Sequence, residues 1–150
     1  MKLLIIAIFL CLPALNAFCQ EENVIKFKSE VTLTLSKTKN GRYDYKITEM
    51  KEFDKTVEAN DMLLFKDKID TNQIKLFFCT GKFGYQNATL LIVKSGLKVF
   101  LNYTAKIKRD GRDYFEITSV EPLIPNVKSL EEWPYNINEI ILGDFSVMKN

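Results

Sequence analysis

Two groups of acidic residues are the first candidates for chemistry. Glu116 and Glu121 lie on or beside a predicted strand, and a pair of carboxyl groups can carry out glycoside hydrolysis. The second group follows the first predicted hairpin, where a calcium loop would need closely spaced oxygen ligands. It consists of Glu49, Glu52, Asp54, Glu58 and Asp61. This segment has no glycine and contains Lys51 and Lys55, so a solvated loop explains it better than a metal site.

The missing residue types exclude most other reactions. The chain has no histidine, which removes Ser-His and Cys-His nucleophile pairs and the side chain best suited to proton transfer near neutral pH. Three cysteines are too few for a thiolate zinc site. A chain with 19 acidic residues offers carboxylate pairs by chance. We therefore predict that the protein is not an enzyme and uses no cofactor or metal. A net charge of +2 also argues against nucleic-acid binding through a basic face.

The N-terminus has the order of a secretory signal peptide. Met1 and Lys2 precede an unbroken apolar run over 3–12, and Pro13 and several small residues follow it. The run is too short to span a bilayer. We predict a signal peptide over 1–19, cleaved near 17–19, and a single domain over 20–150. The mature protein is expected to be secreted or periplasmic, with no transmembrane segment.

Cysteine usage depends on the cleavage point. Phe18 precedes Cys19 where a lipoprotein signal favours a small residue, so lipid anchoring at Cys19 is not expected. Cleavage after Cys19 leaves Cys79 as the single cysteine, whereas cleavage after Ala17 leaves two cysteines that could pair. Cys79 lies in an apolar run and is predicted to be a core residue.

An Asn-Gly pair marks the first predicted hairpin. Apolar residues alternate at odd positions over 31–35 and 43–47. A three-residue turn at 39–41 keeps both apolar sets on one face, whereas a two-residue turn would place them on opposite faces. We therefore predict that Leu35 pairs with Tyr45 and that the glycine of the turn has a positive φ.

The same argument, that apolar residues at alternating positions must share one face, predicts three consecutive antiparallel strands at 87–94, 97–108 and 112–120. A two-residue turn at Ser95-Gly96 would join the first two. A three-residue turn at 109–111 would join the last two and give Gly111 a positive φ. It would pair Ala105 with Phe115 and Tyr103 with Ile117, so that Phe115 and Ile117 point into the core.

The remaining segments are short. Apolar runs at 62–65 and 74–78 predict two strands, or one strand and a turn. A last strand is predicted over 140–147, and glycines predict a turn at 81–84. The best helix candidate is one turn over 128–133, ended by Pro134. About eight short strands with glycine turns predict an all-β fold, an antiparallel β-sandwich, with a small β-barrel as the alternative.

A surface patch is the main binding hypothesis. In the predicted register Phe100, Leu91 and Val93 lie on the face opposite the core, and Trp133 and Tyr135 come from a loop that could border it. A strand that is apolar on both faces is either covered by the chain or available to a partner. The alternatives are burial under the 122–136 segment or another strand and, for Trp133, a plug at one end of the sandwich.

These observations favour an exported, non-enzymatic binding protein of a bacterial cell envelope. A protein partner is expected, and the concrete version is an immunity or inhibitor protein that neutralises a toxin or hydrolase. The alternative is a carbohydrate- or lipid-binding module of the envelope. Small size, one domain, the predicted signal peptide and the absence of a catalytic set are the grounds for both.

Overall fold

A computed structural model describes residues 23–58, 61, 64–83 and 86–148. The predicted signal peptide over 1–19, including Cys19, lies outside the described residues, as do residues 62 and 63 of the apolar run at 62–65. Leu64 and Phe65 of that run lie in a turn and not in a strand. The described residues form ten strands and no helix. The strands are β1 (Val24–Lys26), β2 (Ser29–Lys37), β3 (Tyr43–Glu52), β4 (Thr56–Glu58), β5 (Gln73–Phe83), β6 (Gln86–Ser95), β7 (Leu101–Arg109), β8 (Glu116–Thr118), β9 (Lys128–Trp133) and β10 (Ile137–Val147).

The strands build a β-sandwich, as predicted. Sheet A has the order β1-β10-β7-β8, and sheet B has the order β3-β2-β5-β6-β9. Neighbouring strands are antiparallel, apart from β4, which runs parallel to β5. The two sheets pack face to face and remain separate sheets rather than closing into one.

The main core lies between the sheets and follows the alternation of the sequence. In β2 the odd positions from Val31 to Leu35 are buried, and in β7 the odd positions from Leu101 to Ile107 are buried. The ring of Phe145 on β10 stacks on Tyr103, with 5.7 Å between their centroids. Period-two alternation places every second side chain of these strands in the core.

The β2–β3 hairpin confirms its prediction. Leu35 pairs with Tyr45, the Thr38 amide donates to the Arg42 carbonyl at 2.9 Å, and three residues form the turn between them. Gly41 has a φ of 74°. The turn is local and its glycine fixes the register, so the sequence was sufficient to predict it.

The predicted register of the β7–β8 hairpin is wrong. Gly111 does have a φ of 74°, but Ala105 pairs with Thr118 rather than with Phe115. The connection is longer than three residues, and Glu116 at the start of β8 forms ion pairs with both Arg109 and Arg112. A shift of three positions reverses the facing of the strand, so Ile117 is 79% exposed instead of buried.

The predicted hairpin at Ser95-Gly96 is also wrong, since β6 and β7 belong to different sheets. The chain crosses from sheet B to sheet A at this point. The Gly96 amide donates to the Gln73 carbonyl at 2.9 Å, and a Cβ atom on Gly96 would overlap the Asp70 carbonyl oxygen. Gly96 is therefore needed for close backbone packing rather than for a hairpin turn.

Three smaller predictions meet different outcomes. The one-turn helix over 128–133 is wrong, because these residues form β9 and pair with the edge of β6. The turn predicted at 81–84 is wrong at its start, since Gly81 continues β5. The last strand is confirmed and begins three residues earlier than predicted, at Ile137.

A second apolar cluster covers the outer face of sheet B. Its buried members, which we call the outer cluster, are Val57, Phe77, Cys79, Ala88, Leu90 and Ile92. Phe53, Leu64 and Phe65 pack over them from the segment between β3 and β5. The central strands β5 and β6 are thus apolar on both faces, and the chain itself covers the second face.

Candidate partner-binding groove

The structure separates the five residues predicted to form a binding patch. Leu91 is 0% exposed and Val93 1% exposed, and both belong to the main core. They face inward because β6 is not paired with β7, so the register that pointed them outward does not exist. Trp133 is buried in the same core, Tyr135 is half-buried, and Phe100 is 49% exposed. The predicted patch is therefore absent as a continuous surface.

Trp133 and Tyr135 have interactions within the chain. The Trp133 indole N–H donates to the Thr118 hydroxyl at 3.3 Å, which ties sheet B to sheet A. The Arg109 guanidinium lies 3.9 Å from the centroid of the Tyr135 ring. The Thr89 hydroxyl donates to the Tyr135 carbonyl at 2.8 Å. These contacts agree with a role for Trp133 in packing within the sandwich, and not with a position in a loop that binds a partner.

Phe100 instead lies in a different apolar groove at one end of the sandwich. Its large hydrophobic side chains come from three separate parts of the chain and are 44–49% exposed. We call it the end groove and define it by Phe100, Ile124, Val127 and Met148.

Backbone hydrogen bonds position these side chains. The Met148 amide donates to the Phe100 carbonyl at 3.0 Å, which brings the end of β10 beside the start of β7. The Val127 amide donates to the Ile124 carbonyl at 3.1 Å in the connection between β8 and β9. Asn126 within this turn has a φ of 59°, a conformation that asparagine tolerates better than most residues.

The connection is anchored on both sides of the groove. Leu123 is buried and exchanges two backbone hydrogen bonds with Leu101, at 2.8 and 3.1 Å. The Glu121 amide donates to the Glu131 carboxylate at 2.7 Å. Burial raises the pKa of Glu131 above its usual value. The exposed apolar residues are thus held on a fixed backbone.

The end groove has an apolar centre and a polar rim. Its volume is about 430 Å³, and Pro122 adds to its apolar lining. Glu121, Lys128 and Ser129 border it. This arrangement matches the anatomy of protein interfaces, in which hydrophobic anchors lie inside a polar periphery.

Sequence reasoning found Phe100 and missed the other three residues. Ile124 and Val127 lie in a connection flanked by prolines, where the run from Leu123 to Val127 is more apolar than a solvated loop requires. This excess of apolar residues was the feature of the sequence from which these two groove residues could have been predicted. Nothing in the sequence indicated that Met148 would join them, because the contact depends on the pairing of β10 with β7.

Three of the acidic candidates, Glu49, Asp54 and Glu116, form ion pairs with lysine or arginine side chains. Glu116 forms ion pairs with two arginines, and in the acidic segment Lys51 lies 2.7 Å from Glu49 and lowers its pKa. Lys28 lies 2.6 Å from Asp54. In the part of the chain that the structure describes, no group of three or more acidic or cysteine side chains could hold a metal ion.

Comparison with known proteins gives no assignment. No family model matches the chain, and neither a curated protein nor a solved structure is significantly similar to it. Among the described residues, no helix is long and apolar enough to cross a membrane.

Proposed function

We propose that this chain is an exported, non-enzymatic binding protein of the cell envelope that holds a protein partner at the end groove. The concrete version is an immunity or inhibitor protein that neutralises a toxin or hydrolase. The observation that carries the proposal is the exposure of four large hydrophobic side chains in one groove. Export rests on the signal-peptide pattern of residues 1–19.

The composition of the groove supports a protein partner. Aromatic residues and methionine are enriched at protein interfaces, and Phe100 and Met148 provide one of each. Phe100 lines a concave surface, where an inserted side chain of the partner would be removed from water on several sides. Hot-spot residues occupy such positions.

The test is recovery of a partner from an envelope extract. Phe100→Asp places a charge in the groove, and we expect it to abolish copurification of the wild-type partner. Ile117→Asp is the matched control, because Ile117 is a single, more exposed hydrophobic residue outside the groove. A partner recovered equally by both variants would contradict the proposal. If the partner is a hydrolase or toxin, the wild-type chain should also inhibit its activity.

The second candidate is a carbohydrate- or lipid-binding module of the envelope. The apolar lining of the end groove favours a lipid chain over a sugar at this position, since carbohydrate sites need hydrogen-bonding side chains beside their aromatic rings. Binding of a fluorescent fatty acid that Phe100→Asp abolishes, without any protein partner in the extract, would favour this candidate.

A further inference from the structure

A pair of acidic residues adjoins the end groove. Glu121 lies in the connection between β8 and β9 and lines the groove. Glu131 lies on β9, opposite Leu91 of β6. Directly opposed residues of an antiparallel pair point to the same face, and Leu91 belongs to the main core, so the Glu131 side chain is directed inward, toward sheet A. Its carboxylate accepts the Glu121 amide at 2.7 Å and therefore lies directly beside a residue of the groove.

The two acids have no counter-ion in the part of the chain that the structure describes. No lysine or arginine there forms an ion pair with either carboxylate. Lys128 is the cation of β9, but it lies opposite Lys94, whose ammonium nitrogen is over the Phe65 ring on the outer face of sheet B. Burial raises the pKa of Glu131, and the charge of Glu121 also raises it. Two like charges are thus held together without compensation.

A buried hydroxyl group lies close to the same carboxylates. Tyr103 is 7% exposed and points from β7 into the main core. Its hydroxyl has no hydrogen-bond partner among the described residues. Burial raises the pKa of this hydroxyl, and the charges of Glu131 and Glu121 raise it further because both acids lie near it. A buried polar group without a partner costs stability, so the hydroxyl and the two carboxylates form a set of acceptors suited to a ligand with several N–H donors.

This set of acceptors favours an organic cation over a metal ion. Calcium takes about six to eight oxygen ligands, and in the described residues no group of three or more acidic or cysteine side chains could hold a metal ion. A guanidinium group instead presents several N–H donors in one plane and binds carboxylates with strong, charge-assisted hydrogen bonds. Arginine is also enriched among the residues that dominate the binding energy of protein interfaces. A basic side chain therefore matches the chemistry of this position.

We infer that Glu121, Glu131 and the Tyr103 hydroxyl form a cation subsite of the end groove, which receives an arginine or lysine side chain of the protein partner. The inference rests on the proposed function and adds the chemistry of the partner. An apolar side chain enters the groove beside Phe100, and a neighbouring basic side chain lies against the two carboxylates. Inward-pointing charges also protect edge strands from aggregation, but that role of Glu131 would require neither a second acid nor an unpaired hydroxyl beside it.

A matched pair of small compounds tests the cation subsite. Phenethylguanidine carries an aromatic ring and a guanidinium group, and phenethylurea has nearly the same shape without the charge. Each compound is titrated into the chain without residues 1–19 at about pH 7, and the amide NMR signals of Phe100 and Glu131 are followed. Both compounds should shift the Phe100 signal. The guanidine should also shift the Glu131 signal and bind about tenfold more tightly than the urea.

Three variants assign this charge preference to particular residues. Glu131→Gln retains an oxygen that accepts the Glu121 amide but removes the charge, so it should abolish the preference and leave phenethylurea binding unchanged. Glu132→Gln is the matched control, because Glu132 is exposed and lies on the opposite face of β9. It should retain the preference. Tyr103→Phe should weaken phenethylguanidine binding about threefold without affecting phenethylurea.

Equal binding of the two compounds, or binding of neither, would overturn the inference and leave Glu131 as a charge that protects the edge of β9. A preference retained in Glu131→Gln, or lost equally in Glu132→Gln, would also overturn it. So would a preference seen only in a chain that ends at Met148, because Lys149 would then be the cation at the subsite. A preference that depends on Glu131 supports the subsite even if wild type and Phe100→Asp recover an envelope partner equally, a result that contradicts the proposed function alone.

Discussion

The outer cluster and the end groove are both apolar surfaces outside the main core, but the residues that the structure describes cover only one of them. Over the outer cluster, the rings of Phe53 and Phe65 lie 4.8 and 5.2 Å from the ring of Phe77, which is 2% exposed. In the end groove Phe100 is 49% exposed. Covering an aromatic ring stabilises the fold, so a ring left half in water on a fixed backbone contributes little to folding. The proposed binding role of the groove rests on this difference in exposure.

Five predictions test this contrast, beginning with the reactivity of Cys79 in the outer cluster. Burial raises the pKa of its thiol from 9.0 to about 12. A rise of three pKa units leaves about a thousandfold less thiolate at pH 8. Iodoacetamide should therefore label the native chain from residue 20 at least a thousandfold more slowly than the urea-unfolded chain. Rapid labelling of the native chain would show that the segment between β3 and β5, which packs over the outer cluster, leaves Cys79 accessible.

The same thiol has a consequence for stability at high pH. Its folded pKa lies above its unfolded value, so the folded state retains a proton that the unfolded state loses. This contribution should reduce stability as the pH rises from about 9 to about 12. Cys79→Ala should remove that part of the pH dependence.

Phe77→Ala should cause the largest loss of stability among the aromatic variants. It removes a ring that is fully enclosed by the outer face of sheet B and its cover, and such truncations cost about 3–5 kcal/mol. Urea unfolding measures the loss directly. A loss of stability below about 1 kcal/mol would mean that the rings of Phe53 and Phe65 do not pack over Phe77 as described.

Phe65→Ala should have an intermediate effect. Phe65 is half-buried, packs edge-on against Phe77 and lies 5.9 Å from the Lys94 ammonium nitrogen. We expect the free energy of unfolding to fall by about 1–3 kcal/mol. Cys79 should also be labelled faster, because the variant removes one of the rings that pack over the outer cluster. Unchanged labelling in a folded variant would argue that other residues close this surface.

Phe100→Ala should have the smallest effect on stability, about 1 kcal/mol or less, because half of the ring is already in water. The same variant should weaken partner binding by about 2 kcal/mol. A thermal melt compares it with Phe77→Ala. Similar losses for both variants would remove the distinction between the two surfaces.

The sequence predicted those parts of the fold that depend on local turns. The β2–β3 hairpin was predicted correctly because Asn40 and Gly41 set its register. The β7–β8 register was missed because the connection is longer than the three-residue turn that Gly111 suggested, so Ala105 pairs with Thr118. The crossing at Gly96 depends on packing against Asp70, a residue 26 positions away, which no local pattern reveals.

The candidate site was harder to predict for the same reason. Phe100 was correctly predicted to point away from the core, because it is an even position and the odd positions of β7 face the core. Leu91 and Val93 were assigned to the surface through a hairpin that the chain does not form. The second apolar face of β6 does exist at Leu90 and Ile92, but it is covered by a segment more than 20 residues away.

Photo-crosslinking from the end groove tests the central claim most directly. A benzophenone amino acid placed at Phe100 in the exported chain, in its native host, should give one discrete adduct with an envelope protein. Val127→Asp should abolish this adduct, and the same probe at Ile117 should not produce it. An absent adduct, an adduct unaffected by Val127→Asp, or an equal adduct from Ile117 would contradict the account of the groove as the binding surface.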